Sequence, residues 1–103
     1  MQSQTQDVLF QYVNRIHEIY GSELKAVILY GSYARGDYTE SSDIDIMILV
    51  DSTEDTIKQK GRMVSDITFD FNLDHDIMIM PIVKNVNHFQ YWLPADPFYK
   101  NVK

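Results

Sequence analysis

Seven residues, IDIMILV at positions 44–50, limit the fold of this chain more than any other stretch. Side chains of a strand alternate between its two faces. Ile44, Ile46, Ile48 and Val50 therefore make one apolar face, and Met47 and Leu49 most of the other. A strand apolar on both faces belongs in the middle of a sheet. Asp45 interrupts the second face, and Asp43 stands immediately before the run.

The remaining patterns supply partners for that strand. Val8, Leu9, Tyr12, Val13, Ile16 and Ile19 recur at the spacing of one helical face, and Gly21 is a natural stop. KAVILY, 25–30, is short and β-branched, which predicts a buried strand ending at Gly31. The polar stretch from Gly36 to Ser42 reads as a loop. Ser52 followed by Asp55 resembles a capping box, and Ile57, Val64, Ile67 and Phe71 continue at helical spacing across Gly61. DIMIMPIV, 76–83, predicts a third buried strand, with Met78 and Met80 in the core and Pro81 marking an edge or a bulge. A short helix is expected over Asn85–Trp92, and the tail LPADPFYKNVK reads as irregular. Trp92, Phe98 and Tyr99 are expected to pack as core.

At 103 residues the chain holds one domain over positions 1–103, with no room for a second substrate-binding domain. It has no cysteine, so disulfides and thiolate zinc sites are excluded. MQSQTQDVLF lacks the basic start and apolar core of a signal peptide, and no apolar run reaches membrane-spanning length. A cytoplasmic protein is the expectation. A formal net charge of −6 argues against a broad nucleic-acid surface, which needs lysine and arginine to neutralise phosphates, while it suits metal ions. His17, His75 and His88 show no metal-ligand spacing and are expected to be structural or solvated.

Asp43 and Asp45 share one side of the strand and repel each other. A hard divalent cation relieves that repulsion, and magnesium prefers carboxylate oxygens and shares its shell with substrate phosphates. Taken alone, Asp-x-Asp more often marks a strand-end turn, with Asp43 as the cap and Asp45 facing solvent. Asp76, at the head of its own apolar run, could bring a third carboxylate to the same end of the sheet. Gly31-Ser32 follows the first strand, where glycine allows close backbone approach and exposed N–H groups with a serine hydroxyl suit a phosphate. GSYARG is neither a Walker A loop nor a Rossmann glycine fingerprint. In haloacid-dehalogenase-like phosphatases the apolar strand precedes the aspartates, whereas here it follows them. Nucleotidyl transfer is the reading that remains.

The pattern Gly31, Ser32, ten residues, then Asp43-x-Asp45 resembles the minimal nucleotidyltransferases of the DNA polymerase beta superfamily. The flanking YARGDYTESS agrees, LDHDIMIMPI looks like the family's third-aspartate strand, and the likeness extends over nearly the whole chain. The resemblance implies an α/β (α+β) fold with a small mixed sheet and helices mainly on one face. It implies Asp43 and Asp45 as ligands of two magnesium ions, and Asp76 as the third carboxylate, which helps hold a metal and takes the acceptor's proton. Asp74 is a rival for that place. Ser32 and the Gly31 backbone would hold the terminal phosphates of ATP, with Arg35 adding charge. The implied reaction is attack of an acceptor hydroxyl on the α-phosphate, with pyrophosphate leaving. The family's usual partner is a helical HEPN toxin, one of whose tyrosines would accept AMP, so that the chain acts as its antitoxin. Two alternatives stand beside this: a binding module that masks its partner without catalysis, and one subunit of an antibiotic nucleotidyltransferase.

Overall fold

The computed structural model describes the backbone of residues 3–30, 43–89 and 99–100. Helix α1, Ser3–Tyr20, is followed by a single 3-10 turn, Gly21–Glu23, and strand β1, Leu24–Tyr30. Gly21 stops the helix with φ +59°, a conformation that an L side chain resists. Strand β2, Ile44–Val50, leads to helix α2, Glu54–His75, and strand β3, Ile79–Asn85. A four-residue helix α3, Val86–Phe89, and a two-residue strand β4, Tyr99–Lys100, complete the described elements.

The sheet order is β3-β2-β1-β4, with β2 antiparallel to β1, parallel to β3, and β4 antiparallel to β1. IDIMILV is thus a central strand, as its two apolar faces require. One face carries Ile44, Ile46, Ile48 and Val50 into a core shared with Leu24, Val27 and Ile79. Helix α1 covers it with Leu9, Tyr12, Val13, Ile16 and Tyr20, and α2 with Val64 and the half-buried Ile57, Ile67 and Phe71. Both long helices therefore lie on one side. The opposite face is a smaller cluster of Ala26, Ile28 and Leu49, packed by Met47 and by Val86 of α3. Strand alternation sends Val27 to one cluster and Ala26 and Ile28 to the other, and a register irregularity between Leu24 and Ala26 puts Leu24 on the side of Val27.

Two buried polar side chains of the helical layer, Tyr12 and Thr68, pair with each other, while the buried Tyr20 hydroxyl has no partner among the described residues. Thr68 donates its proton to the Val64 carbonyl at 2.7 Å, so the Tyr12 hydroxyl, 2.7 Å from Thr68 Oγ1, must be the donor in that contact. The Tyr12 ring meets Phe71 edge-on at 5.5 Å. Burial pushes the Tyr12 phenol up to about 12. The Tyr20 phenol is raised by burial and by the nearby Glu23 charge. Lys60 of α2 closes the end of α1, donating to the Ile19 carbonyl at 3.0 Å with its ammonium 5.1 Å from the Tyr20 ring centre.

Several boundaries differ from those predicted. Thr53, not Ser52, caps α2: its hydroxyl accepts the Thr56 N–H at 3.2 Å. Ser52 is buried and instead donates to Glu23 Oε1 at 2.6 Å, a partner 29 residues away. Strand β3 begins at Ile79 rather than Asp76 because α2 continues to His75. Met78 and Met80 are 49% and 45% exposed, not core, since β3 is an edge strand and the two long helices cover only the other side of the sheet. Pro81 sits on that edge strand, where a missing N–H is tolerated. Tyr99 and Lys100, expected to be irregular, pair with Val27 and Ala26, because β1 has a free edge on that side. Helix α3 is described only to Phe89, and the expectations for Trp92, Phe98 and the Gly36–Ser42 loop lie outside the described residues. Among the described residues no helix is long and apolar enough to cross a membrane.

Candidate active site

Asp43 is exposed just ahead of β2, and Asp45 is half-buried as its second residue. Ile44 between them is buried in the helix-covered core. Strand alternation therefore places the two carboxylates together on the sheet face away from α1 and α2. Among the described residues neither has a hydrogen-bond or salt-bridge partner. A pair of carboxylates left on one face without compensation is an oxygen-donor half-site, which fits a hard divalent cation that keeps other positions for substrate oxygens.

The neighbouring strands fix what lies beside the pair. Tyr30, the last residue of β1, is opposite Asp45, so the chain leaves the sheet toward Gly31-Ser32 next to that carboxylate. Gly31, Ser32 and Arg35 themselves lie outside the described residues. On the other side Met80 pairs with Asp45, and the Ile44 N–H donates to the Met78 carbonyl at 2.8 Å.

Asp76 does not open a strand, as the sequence suggested. It is the C-cap of α2, held in the left-handed region at φ 53° and ψ 49°, and its N–H donates to the Asn72 carbonyl. Asp74 lies two residues further back, within the last turn of α2. Both are exposed. Asp76 is nevertheless two residues from Met78, whose carbonyl receives the N–H lying between Asp43 and Asp45. The structure thus brings Asp76 to the same end of the sheet, from a helix terminus rather than from a strand. A cleft of about 350 Å³, lined by Thr5, Asp7, Val8, His75 and Ile77, includes both sequence neighbours of Asp76 in its wall. Among the described residues no three His, Cys, Asp or Glu side chains converge into a closed metal site.

One residue escaped the sequence reading. Asn72 bonds through its side chain to both backbone groups of Ile79. Nothing local signals this, because an asparagine near a helix end is ordinary and its partner is defined only once β3 docks.

Comparison with known proteins follows the same direction. The family described as Polymerase beta, Nucleotidyltransferase matches residues 12–93. A protein of Methanocaldococcus jannaschii named "Putative protein adenylyltransferase" is 40% identical over 77 residues, covering 75% of this chain and 76% of the relative. Another of that name and organism is 32% identical over 85 residues, covering 81% of this chain and 82% of the relative. A third is 42% identical over 64 residues, 62% of this chain, which spans about half (49%) of that relative's length. The crystal structure of a "putative nucleotidyltransferase" from Sulfolobus solfataricus superposes with a TM-score of 0.60 at 25% identity, covering 95% of this chain and 86% of the other.

Proposed function

This chain belongs to the polymerase beta nucleotidyltransferase family, and on that premise we propose that it transfers AMP from ATP to a hydroxyl group of a protein. The observation that carries the reading is the Asp43–Asp45 pair. The two carboxylates stand on one face at the head of the central strand, with no partner among the described residues and with the end of β1 beside them. Structural carboxylates that close together are ordinarily compensated; an uncompensated pair suits a site completed by its ligand.

In this reading Asp43 and Asp45 would hold magnesium, which when bound neutralises charge on the phosphates and on the attacking and leaving oxygens. Asp76 accepts the hydroxyl proton from its exposed position at the end of α2. The acceptor oxygen forms a bond to the α-phosphorus, and the bond to pyrophosphate breaks. Gly31, Ser32 and Arg35 are assigned to the terminal phosphates. The names of the relatives support a protein as acceptor, and the small size of the domain leaves little surface for a deep acceptor pocket. We assign the acceptor hydroxyl to a tyrosine of a HEPN-type toxin encoded alongside, whose modification silences it. A formal net charge of −6 favours encounter with a basic, RNA-cleaving partner.

A second reading, a module that neutralises the toxin by covering it, is favoured by one observation: no closed three-carboxylate group forms among the described residues. Co-expression of the two proteins, followed by mass spectrometry of the toxin, separates the readings. Added AMP that disappears with Asp43→Asn supports transfer. A toxin that is neutralised yet unmodified supports masking and overturns the transferase reading.

A further inference from the structure

Asn72 makes an unusual set of contacts for a residue near the end of a helix. Its Oδ1 accepts the Ile79 N–H at 2.7 Å, and its Nδ2 donates to the Ile79 carbonyl at 3.3 Å. Strands β2 and β3 are parallel with Ile44 opposite Ile79, and the Ile44 N–H bonds Met78 rather than Ile79. In such a ladder the N–H and C=O of Ile79 point away from β2. The Asn72 amide occupies the place that a further strand would take. The Asn72 main-chain carbonyl is equally engaged, accepting the Asp76 N–H and the Ile77 N–H, the latter at 3.2 Å.

We propose that Asn72 is the positioning residue of the candidate active site, holding the left-handed Asp76 turn with its backbone and the start of β3 with its side chain. The inference rests on the nucleotidyl-transfer reading above. Its effect on the site is indirect. Asn72 fixes Ile79, the adjoining Met78 carbonyl takes the Ile44 N–H, and Ile44 separates Asp43 from Asp45. The same residue therefore sets where Asp76 stands relative to the pair. Among the described residues the strand positions beside Asp45 are held by Met80 and Tyr30, neither of them a carboxylate. In the proposed reading the third carboxylate is Asp76 of the α2–β3 connection, and its place depends on how that connection is tied. Aspartate at position 72 would keep the acceptor but lose the donor, while alanine would lose both.

Two measurements test this on the full chain. The first is amide hydrogen exchange in Asn72→Ala. Exchange at Ile44 and Ile79 should accelerate by about five- to tenfold, the equivalent of one ordinary hydrogen bond, while Leu49 and Val50 stay unchanged. The second is calorimetric titration of magnesium in the presence of ATP. Asn72→Ala should bind magnesium about tenfold more weakly, as for loss of a group that orients metal ligands, and Asn72→Asp should fall between it and wild type. Asn85→Ala serves as the control, because it removes a side-chain bond to the Ser52 carbonyl at the other end of the sheet. It should lower the melting temperature comparably and leave magnesium affinity intact. Unchanged exchange at Ile44 and Ile79, or a magnesium affinity in Asn72→Ala equal to that of Asn85→Ala, overturns the proposal. A wild-type protein that binds no magnesium with ATP defeats the nucleotidyl-transfer reading instead, and the exchange result still decides whether Asn72 holds this end of the sheet.

Discussion

The two ends of β2 are built on opposite principles. At the Val50 end three polar contacts tie the chain together, although the buried Tyr20 hydroxyl nearby has no partner among the described residues. The Asp51 N–H donates to the Glu23 carbonyl at 2.7 Å, Ser52 Oγ to the Glu23 carboxylate at 2.6 Å, and the Asn85 amide to the Ser52 carbonyl at 2.8 Å. At the Asp43 end the backbone is equally well paired, but the two carboxylates have no partner among the described residues. Paired polar groups lock three segments together. Like charges with no partner among the described residues weaken the fold by roughly 1 kcal/mol or less where water reaches them; in the proposed reading that repulsion is relieved by what binds there.

The largest expected effect breaks this contrast at its charged end. Asp43→Asn or Asp45→Asn should reduce AMP transfer by more than about a hundredfold, beyond what loss of an outer-shell group does. The melting temperature should hold or rise, because repulsion is relieved. A variant melting several degrees lower would show that this end is structural as well.

The core between the ends offers a control that depends on pH alone. With its phenol pushed up to about 12, Tyr12 keeps its proton more tightly in the folded state than in the unfolded state, where it titrates near 10. Its contribution is fully present below pH 10 and is lost as pH rises toward 12, by roughly 2–3 kcal/mol over the whole interval. Tyr12→Phe should cost about 1 kcal/mol at neutral pH through the lost bond to Thr68 and should lack this contribution to the alkaline decline. Denaturant melts of both proteins between pH 8 and 11.5 would show the difference shrinking and then reversing; a constant difference would refute the assignment.

At the paired end, Ser52→Ala should destabilise by about 1–2 kcal/mol, since it leaves the Glu23 carboxylate without its donor. Transfer per folded molecule should be unchanged. Loss of transfer in folded Ser52→Ala would mean that the two ends communicate.

The smallest effect sharpens the comparison at Asp76. Glycine is at ease in the left-handed region where aspartate is not, so Asp76→Gly should raise stability by about 0.5–1 kcal/mol while lowering transfer. Equal transfer in the stabilised variant would remove Asp76 from the reaction and return Asp74 to consideration.

What the sequence determined by itself is what periodicity carries. The helical face from Val8 to Ile19, the central position of residues 44–50 and the shared side of Asp43 and Asp45 each depend on neighbours within a few residues, so they are legible in one dimension. Tertiary structure decided the rest. Ser52 looked like a cap until Glu23, brought close by the pairing of β1 and β2, claimed its hydroxyl. Met78 and Met80 looked like core because an apolar strand does not announce which side its helices will cover. Asp76 looked like the first residue of a strand because an apolar run follows it, yet the bonds from Asn72 to Ile79 postpone that strand by three residues and leave Asp76 at a helix end. In each case the deciding partner lies on another element, and only the docking of that element brings it within hydrogen-bonding or packing distance.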